Sequence, residues 1–360
     1  MAACFRAIDG GLDLAVQSVF PQAQTAWHCE FDKAPSTILN HHYPDIPNLH
    51  DVTQVDWGQV EPVDIITGGS PCQDLSTAGK RAGMTEGTRS NLWVNMREAI
   101  AAIKPRLVVW ENVQGALSAE AYSSSDMESG KGFLGGGGGH LRALGRVLGD
   151  LAEIGYDARW ATLRASEVGA PHHRARVFLI AYPADSGCIG LQAARWGSGQ
   201  HPKVRIAGGH AVSLVDLAKE LGELAHLPTI RASDSNCGDY PAEHRRVGPS
   251  IAAVSVYFPH LPTPNTMDHL PARDGGIYGR YEPVVRRWEQ ATGTIAPNPT
   301  ELNQNGKPRL NVEFASWMMG LPRGWITGVP GLSRAQQLKA IGNGVVPQQA
   351  AAALLLLKGI

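Results

Sequence analysis

The 360-residue chain is 43% hydrophobic and balances 32 Lys+Arg against 33 Asp+Glu, a net charge of −1. That length and core fraction suit one large domain with a smaller one, and the charge excludes a globally basic nucleic-acid coat while permitting a local positive cleft. Five cysteines (Cys4, Cys29, Cys72, Cys188, Cys237) show no disulfide or zinc spacing, and their odd number disfavours a secreted disulfide framework. The first residues do not form a signal peptide, and the longest apolar run, residues 350–357, is too short to span a bilayer. A soluble cytoplasmic protein without a membrane partner is expected.

Gly10-Gly11 precede a helix over residues 12–20. Thr25-Ala26-Trp27-His28-Cys29 reads as a strand ending at Glu30, followed by a helix over residues 32–42, and Asp51-Val52 follow a Pro-rich loop. This is the βαβ rhythm of a doubly wound sheet, in which a carboxylate at the end of the second strand binds a ribose hydroxyl.

Val63-Asp64-Ile65-Ile66-Thr67 is a short β-branched run that ends in Gly68-Gly69-Ser70-Pro71 and delivers Cys72. The run reads as a buried parallel strand and the turn as the loop at its C-terminal end, where open α/β sheets bind ligands. A cysteine there is a candidate nucleophile, although a lone cysteine is more often an inert core residue. Residues 74–91 are polar and rich in Gly, Ser, Thr and Arg, an active-site loop by position. Arg106-Leu107-Val108-Val109-Trp110 forms a second buried strand that runs into Glu111, on the same sheet edge as Cys72.

Residues 120–139 are low-complexity, with a glycine run at 135–139, and a helix is expected over residues 140–154. Arg174-Ala175-Arg176-Val177-Phe178-Leu179-Ile180-Ala181 reads as a third strand, whose alternation puts Arg174 and Arg176 on one face. Beyond Tyr182 the rhythm breaks, and residues 183–310 mix Pro, Gly and Arg with short elements. Helices return over residues 311–319, 333–340 and 347–358. His41-His42 and His172-His173 lack partners at zinc-like spacing, so no metal is expected.

Pro71-Cys72-Gln73, Glu111-Asn112-Val113 and His172-x-Arg174-x-Arg176, in that order, followed by Gly342-Asn343-Gly344-Val345, resemble the DNA cytosine-5 methyltransferase family over residues 5–182 and 311–358. The resemblance implies an α/β fold. Its core is a doubly wound, mostly parallel sheet of the S-adenosylmethionine-dependent, Rossmann-like methyltransferase type, with a smaller inserted target recognition domain. Residues 1–182 would form the catalytic domain, 183–310 the recognition domain, and 311–360 a segment returning to the catalytic domain.

It also implies the chemistry. Cytosine C5 is too weak a nucleophile to take a methyl group from a sulfonium. Addition of the Cys72 thiolate at C6 makes the ring an enamine, Glu111 donates to N3, and Arg174 and Arg176 supply positive charge, with Arg174 binding O2. The family's S-adenosylmethionine site would comprise Phe5, Gly10, Gly11, Glu30 on the ribose, Phe31 stacked on adenine, and Asp51 and Val52 at the adenine edge. Ser70, Pro71, Leu92 on the other adenine face, Asn343 and Val345 would complete it. Gln73, Ser76, Lys80, Arg81, Arg89, Arg231, Arg245 and Arg246 are candidate DNA contacts, with Arg273, Arg280, Arg286 and Arg287 as further candidates. The implied partner is double-stranded DNA, bound by a monomer associated with the nucleoid, with a cognate restriction endonuclease as a candidate second partner.

Two departures stand out. Phe5-Arg6-Ala7-Ile8-Asp9-Gly10-Gly11 fits the family's Phe-x-Gly-x-Gly-Gly poorly, and His172 replaces a glutamine. A catalytically impaired DNA-binding homologue is therefore one alternative. A tRNA cytosine-5 methyltransferase is another, although the Cys-Phe-Thr that such enzymes carry is not found.

Overall fold

The computed structural model describes residues 2–5, 10–69, 92–121, 141–184, 203–205, 211–213, 278 and 281–358. Strands β1 (Ala2–Phe5), β2 (Thr25–Cys29), β3 (Ile65–Gly68) and β4 (Leu107–Val113) lie parallel. The short pair β5 (Glu120–Ala121) and β6 (Leu141–Arg142) stands apart from them. β7 (Tyr156–Arg164) and β8 (Ala175–Pro183) form a long antiparallel hairpin, and β8 runs antiparallel to β4. The six-stranded sheet has the order β2-β1-β3-β4-β8-β7. β9 (Lys203–Arg205) pairs with β10 (Ala211–Ser213), and β11 (Thr300–Leu302) with β12 (Pro308–Leu310).

Helices α1 (Gly11–Val19), α2 (Lys33–His42), α3 (Trp93–Ile103) and α4 (Ala143–Glu153) connect or flank these strands. α5 (Glu282–Thr292), α6 (Val312–Met318), α7 (Arg334–Asn343) and α8 (Pro347–Lys358) follow.

Strand alternation sorts the apolar side chains into two layers. Ile66, Val108, Trp110, Val177 and Leu179 face Trp93, Met96, Ile100, Val147 and Leu151 of α3 and α4. Ile65, Val109, Phe178 and Ile180 face Leu12 and Val16 of α1 and Leu354 and Leu357 of α8. A helix from the far end of the chain thus packs beside the first one and closes one face of the sheet.

A third cluster lies off the sheet. Val285 and Trp288 of α5, together with Tyr278 and Leu310, pack on Phe314, Trp317 and Met318 of α6 and on Ile38 of α2. Trp288 Nε1 donates to the Trp317 carbonyl (2.9 Å), and the Tyr278 and Phe314 rings stack at 6.1 Å.

The stretch Arg334–Lys358 has the length and composition of a membrane span, but it is broken between residues 343 and 347 and 72% of its apolar window is buried inside the protein. Its two halves are α7 and α8, which serve the cores just described.

Candidate functional site

β1, β3 and β4 end at one edge of the sheet, with Phe5 paired to Gly68 and Gly68 to Trp110. The antiparallel β8 starts at that edge, and Val113 pairs with Arg176. Parallel strand ends and one antiparallel strand start therefore bring Glu111 and Arg176 together. Arg176 Nε lies 3.0 Å from Glu111 Oε1, and both side chains are mostly buried. Arg176 Nη1 also donates to its neighbour's carbonyl, Ala175 O (2.9 Å), which fixes the guanidinium plane. Asn112 is buried between them in sequence, and its side chain accepts from the Val113 N–H (2.8 Å).

Gly69 follows β3 and abuts this acid. A Cβ at Gly69 would stand 2.5 Å from the Glu111 carbonyl oxygen and 3.5 Å from its Oε2. Only glycine tolerates so close a backbone approach. Residues 70–91 begin one step later. Ser70, Pro71, Cys72, Gln73, Ser76, Lys80, Arg81 and Arg89 lie outside the described residues, as do Arg231, Arg245, Arg246, Arg273 and Arg280.

The expectation that alternation puts Arg174 and Arg176 on one strand face does not hold. Arg174 precedes β8 and has φ 34°, so the strand period does not reach it. Arg174 is 3% exposed, and its guanidinium donates to the carbonyls of Gly342 (3.1 Å) and Gly344 (2.6 Å). Glu111 has Arg176 as its ion-pair partner. His172, expected at the surface or in a local network, is fully buried, and its Nε2 donates to the Met318 carbonyl (3.1 Å). The segment 172–176 is thus tied to the C-terminal segment at two points.

The neighbouring strand end carries the second part of the site. Glu30 directly follows β2 and is only 2% exposed. Its backbone is gripped by Asn48, which accepts from Glu30 N–H (2.9 Å) and donates to Glu30 O (3.1 Å), and by Ser36 Oγ (2.9 Å). Its Oε1 accepts from the Asp32 N–H (2.8 Å). Phe31, the next residue, is 72% exposed. Its ring therefore offers an open aromatic face one residue from the buried acid. Asp51 caps the short turn Val52–Gln54 through the Thr53 N–H (3.0 Å), and Val52 is half-buried against the cluster of Trp27 and Trp93. Both Glu30 and Asp51 act on Cys29: burial first, then these two charges, push its thiol up to about 12. Cys29 is therefore an inert core thiol.

Gly10, with φ 76°, opens α1 in the left-handed region that glycine favours, and its buried neighbour Gly11 starts the helix. Trp325 packs 3.4 Å from where a Gly10 Cβ would stand. The same indole stacks on His42 (3.6 Å, 3°), whose Nε2 donates to the Trp325 carbonyl (2.7 Å). Leu92 caps α3 and is half-buried, Asn343 ends α7, and Val345 lies in the α1–α8 core. A buried acid, an open aromatic face and an acid-capped turn beside the glycine entrance of α1 suit an adenosine: hydroxyls for Glu30, a base plane for Phe31, an exocyclic amine for Asp51. The residues present fit S-adenosylmethionine.

Arg286 pairs with Glu282 and Glu289 of its own helix, both at 2.7 Å, which makes it a helical ion pair rather than an open phosphate contact. Gln349, which was not singled out in the sequence, binds backbone beside the Arg174 turn.

A family model described as C-5 cytosine-specific DNA methylase matches residues 5–355. The Type II methyltransferase M.NgoBV of Neisseria gonorrhoeae is 30% identical over 169 residues, 47% of this chain and 37% of that protein. M.NlaIV of Neisseria lactamica gives the same identity and coverage. The matched part is thus well under half the length of these relatives. Among solved structures, the S. pombe Dnmt2 methyltransferase superposes with a TM-score of 0.54 over 100% of this chain and 99% of that one, at 13% identity, which is a likeness of fold. On the match across nearly its whole length, the chain belongs to the C-5 cytosine-specific DNA methylase family.

Proposed function

We propose that this chain is a DNA (cytosine-5-)-methyltransferase that acts on a specific sequence of duplex DNA through a covalent Cys72–C6 adduct. The observation that carries the reading is the Glu111–Arg176 pair at the sheet edge, set directly against Gly69. Three residues of chain reach at most about 11 Å, so Cys72 is tethered close to this pair. S-adenosylmethionine, when bound, supplies an electrophilic sulfonium methyl group. Phe5, Gly10, Gly11, Glu30, Phe31, Asp51, Val52, Ser70, Pro71, Leu92, Asn343 and Val345 would hold it.

In this mechanism the Cys72 thiolate forms a bond to cytosine C6, and the ring's electrons move toward N3 and O2. Glu111 lies in an ion pair with Arg176, so it first takes up a proton from solvent and then donates it to N3. Arg176, which faces the same carboxyl group, is the residue we assign to the positive charge needed at O2. Arg174 is better suited to holding the backbone of Gly342 and Gly344 than to touching the base. C5 takes the methyl group and the spent cofactor is left as the neutral thioether; a base removes the C5 proton, N3 returns its proton to Glu111, and the C5=C6 bond reforms as Cys72 leaves as the thiolate. The buried setting of Arg176 and Glu111 strengthens their action on a ring that has replaced water.

Double-stranded DNA is the proposed substrate, with a cognate restriction endonuclease as a candidate partner in a bacterial or phage-infected cell. Bisulfite sequencing of DNA and of tRNA from cells expressing the chain tests the reading. Protection of cytosine in one DNA sequence context is expected, and its loss in Cys72→Ala. Protected cytosine in tRNA with unmodified DNA would overturn the DNA assignment.

A further inference from the structure

We infer that Gln349 is a positioning residue for this reaction: its buried carboxamide fixes the Arg174 turn and, through it, the aim of Arg176 at Glu111. The inference rests on the methyl-transfer reading above.

Gln349 sits in the first turn of α8 and is 0% exposed. Its Nε2 donates to two backbone carbonyls, Leu163 O (2.8 Å) and Arg174 O (2.9 Å). Leu163 is the residue of β7 that pairs with Arg176 of β8. One side chain therefore bonds β7 at the rung that carries Arg176 and the turn residue just ahead of β8. Its Oε1 has no hydrogen-bond partner among the described residues, so the carboxamide acts through its N–H₂ end alone. The reverse orientation would set a carbonyl-type oxygen against two carbonyl oxygens, which fixes the amide's direction.

The turn needs such a hold. Arg174 is a non-glycine residue at φ 34°, a backbone state that persists only where the surroundings over-determine it. The hold is reciprocal. Gln349 binds the Arg174 carbonyl, while the Arg174 guanidinium binds Gly342 and Gly344, just ahead of α8. Gln348 adds a bond to the Gly320 carbonyl (2.9 Å). Gln349 itself touches neither Glu111 nor the place of the base, so it acts through the backbone that presents Arg176.

The test uses the full chain with Gln349→Met, which keeps side-chain length and removes both donors. Gln349→Asn is the second variant, should the first fail to fold. Single-turnover methylation at saturating duplex and cofactor is expected to fall about tenfold or more while duplex affinity changes less than about threefold, the signature of a lost transition-state contribution. The discriminating readout is a double-mutant cycle with Arg176→Lys. If Gln349 acts through Arg176, its removal costs less than about twofold in the Arg176→Lys background, whereas a merely structural residue gives additive losses.

Hydrogen exchange is read alongside, irrespective of activity. Faster exchange confined to residues 172–178 in Gln349→Met is expected. An unchanged rate with unchanged exchange, or additive losses in the cycle, overturns the inference. If the wild-type chain does not methylate DNA, the methyl-transfer reading fails instead, and the exchange measurement alone decides whether Gln349 holds the turn.

Discussion

Glu111 and Arg176 meet at 3.0 Å in a mostly buried setting, so each depends on the other. Glu111→Gln keeps a hydrogen-bond donor and loses the transferable proton. A fall of about 10²–10⁴ in single-turnover rate is expected, with duplex affinity little changed. Near wild-type rates in that variant would move the acid elsewhere. Gly69→Ala should be nearly as damaging, because its Cβ would meet the Glu111 carbonyl oxygen at 2.5 Å and push the acid out of place. If Gly69→Ala retained full activity, the close packing of that edge would be irrelevant to catalysis. His28 supplies a pH dependence of stability rather than of rate. Burial holds its imidazole down at about 4, against an ordinary 6.5, with Asp13 Oδ1 3.9 Å from its Nε2. The unfolded chain takes up this proton first, so stability present above pH 6.5 is lost as the pH falls toward 4. The loss amounts to up to about 3 kcal/mol. Denaturant melts at pH 7 and pH 5 measure it, and His28→Gln should flatten that part of the profile.

At the scale of elements, α8 joins the last residues of the chain to the first helix, and Leu354 is buried in that seam. Leu354→Ala should cost about 2–5 kcal/mol by the lost transfer energy and the cavity left behind. A loss under about 1 kcal/mol in urea melts would mean that α8 is not part of the cooperative fold. Much of this architecture is legible in the sequence for local reasons. β3 carries its own β-branched run, and α8 is announced by Pro347 at its start. α7 is also marked by Ser333, whose side chain and Gln336 form a capping box. β7 escapes such reading because it is the edge strand of the sheet. Only Tyr156 and Leu163 of its nine positions are buried, and Asp157, Arg159 and Arg164 interrupt it, so no apolar run advertises it. The β11–β12 hairpin hides for another reason: Pro308 reads as a strand breaker, yet an edge position tolerates it. The bonds from Arg174 to Gly342 and from Gln349 to Leu163 join residues more than 160 positions apart. Local propensity carries no trace of them, which is why alternation misled the reading of Arg174.

At the scale of the whole molecule, the expected boundary at residue 310 deserves revision as a proposal. Tyr278, Trp288 and Leu310 share one core with Phe314 and Trp317. We propose that the exchangeable recognition segment is residues 185–277. Transplanting that segment from a homologue should move the methylated sequence and preserve folding, because base readout needs groove contacts that the sheet edge cannot make. Transplanting residues 183–310 should also lower the melting temperature, since it replaces Trp288 against its fixed partners. An unchanged target after either exchange would refute the assignment. Attack at C6 also demands that the cytosine leave the duplex, since stacked neighbours cover both ring faces. A 2-aminopurine at the target position should therefore brighten on binding even to Cys72→Ala. The central claim is that Cys72 bonds covalently to cytosine beside Glu111 and Arg176. Intact mass measurement with duplex carrying 5-fluorocytosine at the target, in the presence of cofactor, tests it most directly. The fluorine cannot leave as a proton does, so the wild-type chain should accumulate a covalent DNA complex that maps to Cys72 and is absent from Cys72→Ala. A wild-type chain that methylates ordinary duplex but forms no adduct with the fluorinated one, or an adduct that persists in Cys72→Ala, would contradict the account.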